Sequence, residues 1–170
     1  PAYLAPSESI PAQGGTMSYH CELKEWSAQP TLTIRTRTAV QDLPQVLGEA
    51  YQAIEEYLGE LKEQPAGPPF TAYYNMDMQN LDVEIGFPVP RELSGRGAIQ
   101  AGHLPEGKIA TSLYTGPYSD MEPAYAALSE WIEEHGYEPT GVAYEFYLTD
   151  PDEAPPEEWQ TQIAFPLKRR

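Results

Sequence analysis

The sequence predicts an α+β fold made from a duplicated strand–strand–helix–strand–strand module. Two segments have the three- and four-residue apolar spacing of an amphipathic helix, and alternating segments typical of strands flank both of them. Residues 82–89 (DVEIGFPV) also align without a gap with residues 160–167 (QTQIAFPL). One such unit has a helix for only one face of a small sheet. We therefore expect two units to pair, giving antiparallel sheets with helices on one face and a central cleft.

The composition restricts the partners of the chain. Its 170 residues include 10 Lys or Arg and 26 Asp or Glu, a net charge of −16. Direct phosphate binding needs clustered Lys and Arg, so this balance argues against a nucleic-acid partner. No stretch approaches the ~18 apolar residues of a membrane span. Cys21 is the single cysteine, which excludes an internal disulfide and is compatible with the cytoplasmic location that we expect.

Regular patterns begin only after a leader. Residues 1–17 are rich in Pro, Gly, Ser and Ala and show no periodicity, which is typical of a segment without regular structure. We expect a single domain over residues 18–168, divided into repeats at 18–90 and 99–168.

The first repeat is predicted as two strands, a helix and a hairpin. Strands are expected at 19–26 and 31–38, and strands at 70–78 and 81–89 form the hairpin. Asp42 is a suitable N-cap for the helix between them, which ends before Pro65. The apolar face of this helix consists of Leu43, Leu47, Ala50, Ile54, Leu58 and Leu61.

The second repeat follows the same order. Strands are expected at 99–104, 108–115, 142–148 and 160–167. Ser119 and Glu122 have the spacing of a capping box at the start of the helix, and Gly136 is a natural stop. Its apolar face consists of Met121, Ala124, Tyr125, Leu128, Trp131 and Ile132.

Strand alternation then assigns side chains to two faces. Under the helices we expect the apolar sets Phe70, Ala72, Tyr74 and Met76, and Val142, Tyr144, Phe146 and Leu148. The open face then collects the predicted ligand site, with Tyr73 as the partner position of Glu145 and with space left at Gly86. The site residues on this face are Glu145, Tyr147, Tyr114, Tyr73, Arg35, Arg37 and Ala164. Aromatic walls around one carboxylate can hold a flat cation, although Glu145 could instead be a structural partner of the two arginines.

Several motifs resemble one known family. Residues 104–110 (LPEGKIA), 114–118 (YTGPY), 144–151 (YEFYLTDP) and 161–167 (TQIAFPL) are similar to GyrI-like small-molecule-binding domains. Such bacterial domains occur alone and as effector-sensing halves of AraC-type and MerR-type multidrug regulators. The resemblance covers residues 18–168. No helix-turn-helix segment precedes it, so we expect a stand-alone member.

The resemblance implies that the central cleft is a ligand cleft, and it implies roles for individual residues. Glu145 matches the acidic residue that contacts cationic lipophilic ligands in multidrug-binding members, and Tyr147 matches a position that lines the pocket. Tyr114 matches a position often filled by His or an aromatic residue. Relatives often carry Tyr in place of Ala164, so one aromatic wall is expected to be missing. Arg35 and Arg37 would put positive charge near the cleft, which argues against a purely cationic ligand.

Three functions follow as hypotheses. The first is binding of a lipophilic and aromatic small molecule, cationic ligands included, for sensing or sequestration. The second is hydrolysis of electrophilic cyclopropane-type compounds, as in some GyrI-like relatives, with Glu145 as the base. The third is a gyrase-inhibitor-like interaction module whose acidic surface mimics DNA. The sequence has no nucleophile elbow, P-loop or dinucleotide motif, and its histidines lack ligand spacing, so we expect neither a cofactor nor a metal. Of these we favour a binding domain without enzymatic activity, and a hydrolase is the expected class if the protein is an enzyme.

Overall fold

The computed structural model describes residues 19–168, so the predicted leader at 1–17 lies outside the described residues. This part of the chain forms one continuous eight-stranded antiparallel sheet and two helices, which confirms the predicted α+β class. The helices are α1 (Leu43–Glu60) and α2 (Glu122–Glu134). The strands are β1 (Cys21–Trp26), β2 (Pro30–Thr38), β3 (Phe70–Tyr73), β4 (Leu81–Pro88), β5 (Ile99–His103), β6 (Gly107–Thr115), β7 (Ala143–Tyr147) and β8 (Gln160–Pro166).

The two halves of the sheet have matching strand pairings. The sheet order is β1-β6-β8-β7-β3-β4-β2-β5, so β3–β4–β2 in one half corresponds to β7–β8–β6 in the other. The edge strands are exchanged: β1 pairs with β6, and β5 pairs with β2. Strand patterns along the chain do not reveal this exchange, because they contain no information about which strands pair. Its consequence is that each half is completed by a strand from the other.

Strands β3 and β7 join the halves at the centre of the sheet. Their register places Phe70 opposite Phe146, Thr71 opposite Glu145 and Tyr73 opposite Ala143. Residues paired directly across strands point to the same side of a sheet. Because Thr71 also pairs with Ile85 and Glu145 with Ile163, these positions share one face.

Both helices cover that same face. The buried side of α1 packs on Val83 and Ile85 of β4, and the buried side of α2 packs on Ile163 and Phe165 of β8. The buried helical residues are Ala50, Ile54, Tyr57 and Leu58 in α1 and Ala124, Leu128 and Ile132 in α2. Among the described residues no helix combines the length and the apolar character needed to cross a membrane.

The predicted faces of β3 and β7 are wrong. Phe70, Ala72, Tyr144 and Phe146 lie on the side of the sheet away from the helices, where Trp26 packs edge-on against Phe146 with 5.6 Å between ring centroids. Both faces of the central strands are therefore buried. Alternation separates the two faces of a strand but does not say which one a helix covers when both are apolar.

The helix boundaries differ from the prediction at one end. A 3₁₀ turn precedes each helix, at Val40–Asp42 and at Tyr118–Asp120. Ser119 lies inside the second turn, so the predicted capping box does not form, and α2 begins after Met121 without a side-chain cap. Gly136 adopts φ 77°, which confirms it as the C-terminal stop of α2.

Candidate functional site

Glu145 occupies the middle of the sheet beneath both helices. It is the central residue of β7, with Thr71 of β3 on one side and Ile163 of β8 on the other. The sequence places it there because the neighbouring residues Tyr144 and Phe146 alternate onto the opposite, apolar face. A carboxylate is thus held at the junction of the two halves.

Two tyrosines from different elements bind this carboxylate. The hydroxyl of Tyr125 in α2 donates a short hydrogen bond to Oε2 of Glu145. The hydroxyl of Tyr147, two residues along β7, donates to Oε1 at 2.8 Å. Each carboxylate oxygen therefore has one hydroxyl donor, and hydrogen bonds to an ionised group are stronger than those between neutral groups.

The matching position in the first half holds a neutral group. Tyr51 in α1 donates its hydroxyl proton to the carbonyl oxygen of Phe70 at 2.9 Å and lies 3.1 Å from Oγ1 of Thr71. Tyr73, two residues along β3 from Thr71, is half-buried on the same face. The floor between the helices is therefore lined by tyrosines on both sides of one carboxylate.

An aromatic pair forms the rim of this floor. Tyr118, in the 3₁₀ turn before α2, is 39% exposed, and its ring centroid lies 4.7 Å from that of Trp159. The same ring packs at 61° against Tyr147 at 5.6 Å. Both burial and the charge of Glu145 raise the pKa of Tyr118. The electrostatic influence of the carboxylate thus reaches the rim.

Burial determines the electrostatics of the site. Desolvation raises the pKa of Glu145, and the hydrogen bonds from Tyr125 and Tyr147 oppose that rise. Burial and the nearby carboxylate also raise the pKa values of Tyr73, Tyr125 and Tyr147, which keeps these hydroxyls protonated as donors. All four side chains nevertheless keep some solvent exposure. These four groups are therefore largely desolvated but not fully closed off from solvent.

The carboxylate has no cationic partner. Within residues 19–168, no Lys, Arg or His forms an ion pair with Glu145. Arg35 instead forms a bidentate pair with Asp82, at 2.7 and 2.9 Å, and lies over the ring of Tyr74 at 3.8 Å. Among the described residues, hydroxyl donors alone stabilise the ionised form of Glu145.

The structure brings together part of the predicted site. Glu145, Tyr147 and Tyr73 share the face beneath the helices, whereas the prediction put them on the open side. Tyr114 is on that face too, but it is buried under α2 and donates to the carbonyl oxygen of Pro117 at 2.7 Å. Thr71, and not Tyr73, is the cross-strand partner of Glu145.

Three predicted residues are not part of this cluster. Arg35, Arg37 and Ala164 lie on the opposite face of the sheet, where Ala164 pairs with Tyr144. The expected space at Gly86 is also absent, because a Cβ there would lie 2.1 Å from the carbonyl oxygen of Leu32. The prediction separated the two faces of each strand correctly. Its error was to place these three residues on the same side of the sheet as Glu145 and Tyr73 of neighbouring strands.

Sequence reasoning missed three aromatic residues of the site. Tyr125 was assigned to the apolar face of its helix as core, and Tyr51 and Tyr118 were not assigned to the site. A usable signal did exist. Tyr51 and Tyr125 each follow a buried alanine and each precede a buried aliphatic residue by three positions, so they occupy matching places in the two helices.

Other features of the described residues lie apart from Glu145. No group of three or more His, Cys, Asp or Glu in residues 19–168 could hold a metal ion. A surface depression of about 670 Å³ includes Trp26 and Lys108, and one of about 710 Å³ includes Tyr114 and Pro117. Neither is bordered by Glu145, which lies deeper, between the helices.

The structure is thus an α+β domain with a largely buried carboxylate at the junction of its two halves. A family model for the GyrI-like small-molecule-binding domain matches residues 20–168, which is nearly the whole chain. The chain belongs to the GyrI-like family of small-molecule-binding domains. No curated protein sequence gives a significant match to it.

Solved structures share this fold at low sequence identity. The C-terminal domain of EcmrR matches with a TM-score of 0.73 and 23% identity over 89% of this chain and 99% of that domain. SAV2435 bound to tetraphenylphosphonium matches with a TM-score of 0.63 and 13% identity over 89% of this chain and 94% of that one. A hydrolase from Listeria innocua matches with a TM-score of 0.65 and 16% identity over 98% of this chain and 95% of that one.

A longer EcmrR chain, in a complex with DNA, matches with a TM-score of 0.77 and 24% identity over 89% of this chain. The match covers 58% of that EcmrR chain, so the present chain spans less than two thirds of its length. These likenesses concern the fold.

Proposed function

We propose that this domain binds a lipophilic, aromatic organic cation in the cleft above Glu145, for sensing or sequestration in the cytoplasm. The observation that carries the proposal is the buried carboxylate without a cationic partner, set among tyrosines. A buried charge is costly unless it is paired, and in the unliganded protein hydroxyl donors are its only stabilisation within the described residues. A ligand cation would supply the missing charge.

The surrounding rings favour an aromatic or lipophilic cation over a small, strongly hydrated one. Tyrosine faces attract cations and accept apolar surface, while their hydroxyls keep the carboxylate in place. Tyr118 and Trp159 at the rim add further aromatic surface. The tetraphenylphosphonium in SAV2435 is a ligand of this type bound by a protein of the same fold, which supports the choice of probe.

The position of the arginines removes one objection to a cationic ligand. Arg35 and Arg37 lie on the far side of the sheet, where both pair with Asp82, and so they do not place positive charge in the cleft. The domain of EcmrR that this chain resembles belongs to a larger chain solved with DNA. We infer that the present domain itself has no direct nucleic-acid contact, because its acidic charge of −16 would repel phosphates.

Calorimetric titration with tetraphenylphosphonium tests this proposal. We expect the wild-type protein to bind it and Glu145→Gln to lower the affinity by roughly tenfold or more, equivalent to ~1.4 kcal/mol. Tetraphenylborate, which has the same shape and the opposite charge, should not bind. Glu84→Gln is the matched control, since Glu84 also accepts hydroxyl hydrogen bonds, from Tyr74 and Thr33, but on the opposite face. Equal binding of the two ions, or unchanged affinity in Glu145→Gln, would contradict the proposal.

Hydrolysis is a second candidate, favoured by one observation. The raised pKa of Glu145 brings this carboxyl closer to neutrality, where a general base is most effective. Incubation with a strained cyclopropane electrophile should then give a ring-opened product with the wild-type protein and none with Glu145→Gln. Recovery of unchanged substrate from the wild-type protein rules this activity out for that compound.

A further inference from the structure

The floor of the cleft consists of two half-sites at matching positions. Thr71 and Glu145 pair directly across β3 and β7, and each pairs on its other side with an isoleucine, Ile85 or Ile163. Those isoleucines are themselves aligned in the gap-free match of residues 82–89 with 160–167. Thr71 and Glu145 therefore occupy the same position in the two halves.

The hydroxyl donors follow the same correspondence. Tyr51 lies 3.1 Å from Oγ1 of Thr71, as Tyr125 contacts Oε2 of Glu145. Tyr73 and Tyr147 each lie two residues further along their strands. One half-site is thus Tyr51, Thr71 and Tyr73, and the other is Tyr125, Glu145 and Tyr147. They differ in one residue type, and that difference is the negative charge.

This asymmetry has a consequence for the ligand. A molecule lying across the junction meets a carboxylate on one side and neutral hydroxyls on the other. A cationic group on the hydroxyl side would lose its hydration without gaining a counter-charge, which is unfavourable. A neutral hydrogen-bond acceptor there can be met by the hydroxyl of Tyr73, because hydroxyl hydrogens rotate to suit their partner, whereas the proton of Tyr51 is already donated to the carbonyl oxygen of Phe70.

We propose that the Tyr51–Thr71–Tyr73 half-site is a neutral subsite that restricts the cleft to monocations and binds the uncharged, hydrogen-bond-accepting end of the ligand. This inference rests on the proposed function, since it assigns Glu145 to the cationic end. Thr71 is fully buried and acts through the hydroxyl of Tyr51, so it is a positioning residue. The half-site limits the ligand to a single charge, and Glu145 requires that charge to be positive.

A matched pair of ligands tests the proposal. N-methyl bipyridinium carries one positive ring and one neutral pyridine nitrogen, and methyl viologen has the same rings with both nitrogens methylated and charged. Calorimetry should show that the wild-type protein prefers the monocation by roughly tenfold or more. Thr71→Glu should reverse this preference, because it places a second carboxylate in the matching position. Equal affinities in the wild-type protein, or an unchanged ratio in folded Thr71→Glu, would overturn the proposal.

Two milder variants keep the test decisive if Thr71→Glu does not fold. Tyr73→Phe and Thr71→Val remove hydroxyls without adding charge, and each should weaken monocation binding by roughly fivefold, about the effect of one lost hydrogen bond. Neither should improve methyl viologen binding. A monocation affinity equal to that of the wild-type protein in both variants contradicts the neutral subsite.

The titration with tetraphenylphosphonium distinguishes a failure of the neutral subsite from a failure of the proposed function. Tetraphenylphosphonium has no hydrogen-bond acceptor, so its affinity should depend on the charge of Glu145. Loss of its binding in Glu145→Gln together with an unaltered bipyridinium ratio in the variants of the half-site would overturn the subsite alone. Unchanged binding in Glu145→Gln would overturn the proposed function itself.

Discussion

The hydroxyl of Tyr125 in α2 hydrogen-bonds to the carboxylate of Glu145 in β7, which ties a helix to the centre of the sheet through a buried charge. This contact joins stability to function, because the carboxylate that we assign to ligand binding is also held by the fold. Its raised pKa shows that the folded protein stabilises the ionised form less well than water does. Stability should therefore depend on pH.

Glu145→Gln should stabilise the unliganded protein at neutral pH. The pKa of Glu145 in the folded state is raised above its usual 4.5, so between these two values the folded protein keeps a proton that the unfolded chain has lost. The free energy of unfolding of the wild-type protein consequently falls as the pH rises through this range, and the penalty is complete above the folded-state pKa. Gln carries no charge, so the Glu145→Gln variant does not have this penalty.

Thermal unfolding across pH measures this effect. We expect Tm of Glu145→Gln to exceed that of the wild-type protein at pH 7.5 and the difference to shrink as the pH approaches 4.5. Each 1 kcal/mol should shift Tm by about 2–4 °C for a chain of this size. Glu84→Gln, on the opposite face, should give no such gain. A lower Tm for Glu145→Gln throughout the range would show that the hydroxyl donors fully compensate the buried charge.

Tyr125→Phe and Tyr51→Phe should differ in the pH dependence of their costs. Removing the Tyr125 hydroxyl takes a donor from an ionised carboxylate, which costs about 1.5–3 kcal/mol when Glu145 is charged and less when it is protonated. Tyr51 occupies the matching position but binds neutral groups, at Phe70 and Thr71, so its loss should cost about 0.5–1.5 kcal/mol at any pH.

Urea unfolding of these two variants at pH 5 and pH 7.5 provides the comparison. The destabilisation by Tyr125→Phe should grow between the two conditions, while that by Tyr51→Phe stays constant. If both variants showed the same pH dependence of destabilisation, ionisation of Glu145 would not strengthen its hydrogen bond with Tyr125.

The sequence predicted the elements of the fold much better than their arrangement. Periodicity located both helices and all eight strands, because local patterns of burial follow from local geometry. The exchange of β1 and β5 between the halves depends on long-range pairing, which local patterns do not contain. The inversion of the β3 and β7 faces has a different cause: Tyr144 and Phe146 are buried by Trp26 and not by a helix.

The candidate site was predicted in the same partial way. Glu145, Tyr73 and Tyr147 stand out in the sequence because they alternate with apolar residues. Tyr125 is hidden, since a tyrosine on the apolar stripe of a helix is indistinguishable from core until its hydroxyl is seen to reach a carboxylate. The role of Arg35 could not be settled either, because its partner Asp82 is 47 positions away in the sequence.

Gly86→Ala should be strongly destabilising. The added Cβ would lie 2.1 Å from the carbonyl oxygen of Leu32 and 2.9 Å from Cα of Thr33, so backbone of β2 would have to move. We expect a loss of about 1–3 kcal/mol or more, as for other overpacked sites. Ala164 is the aligned position in β8 and already carries a Cβ, and Ala164→Gly should cost only ~1 kcal/mol. Urea unfolding of both variants checks the contrast, and equal stabilities would show that β2 adapts without strain.

Lys62→Gly should stabilise the protein by relieving a strained helix end. Lys62 has φ 58°, a left-handed conformation that is unfavourable for residues with a side chain, and it lies two residues after the end of α1. Gly136 has φ 77° and the same place after α2, where glycine adopts this conformation without cost. The hydrogen bonds that close the two ends also correspond: Glu63 donates to the carbonyl oxygen of Leu58 at 2.9 Å and Tyr137 to that of Ile132 at 3.0 Å.

The matched ends make a reciprocal experiment possible. Lys62→Gly should raise the free energy of unfolding by about 0.5–1 kcal/mol, and Gly136→Ala should lower it by about 1 kcal/mol, because each substitution changes strain at one αL residue. Both measurements use urea unfolding at one pH, and the slope of free energy against urea should stay unchanged. Since Lys62 is exposed and distant in the chain from Glu145, tetraphenylphosphonium binding by Lys62→Gly should equal that of the wild-type protein. Destabilisation by Lys62→Gly would mean that contacts of the lysine side chain outweigh the strain of its backbone.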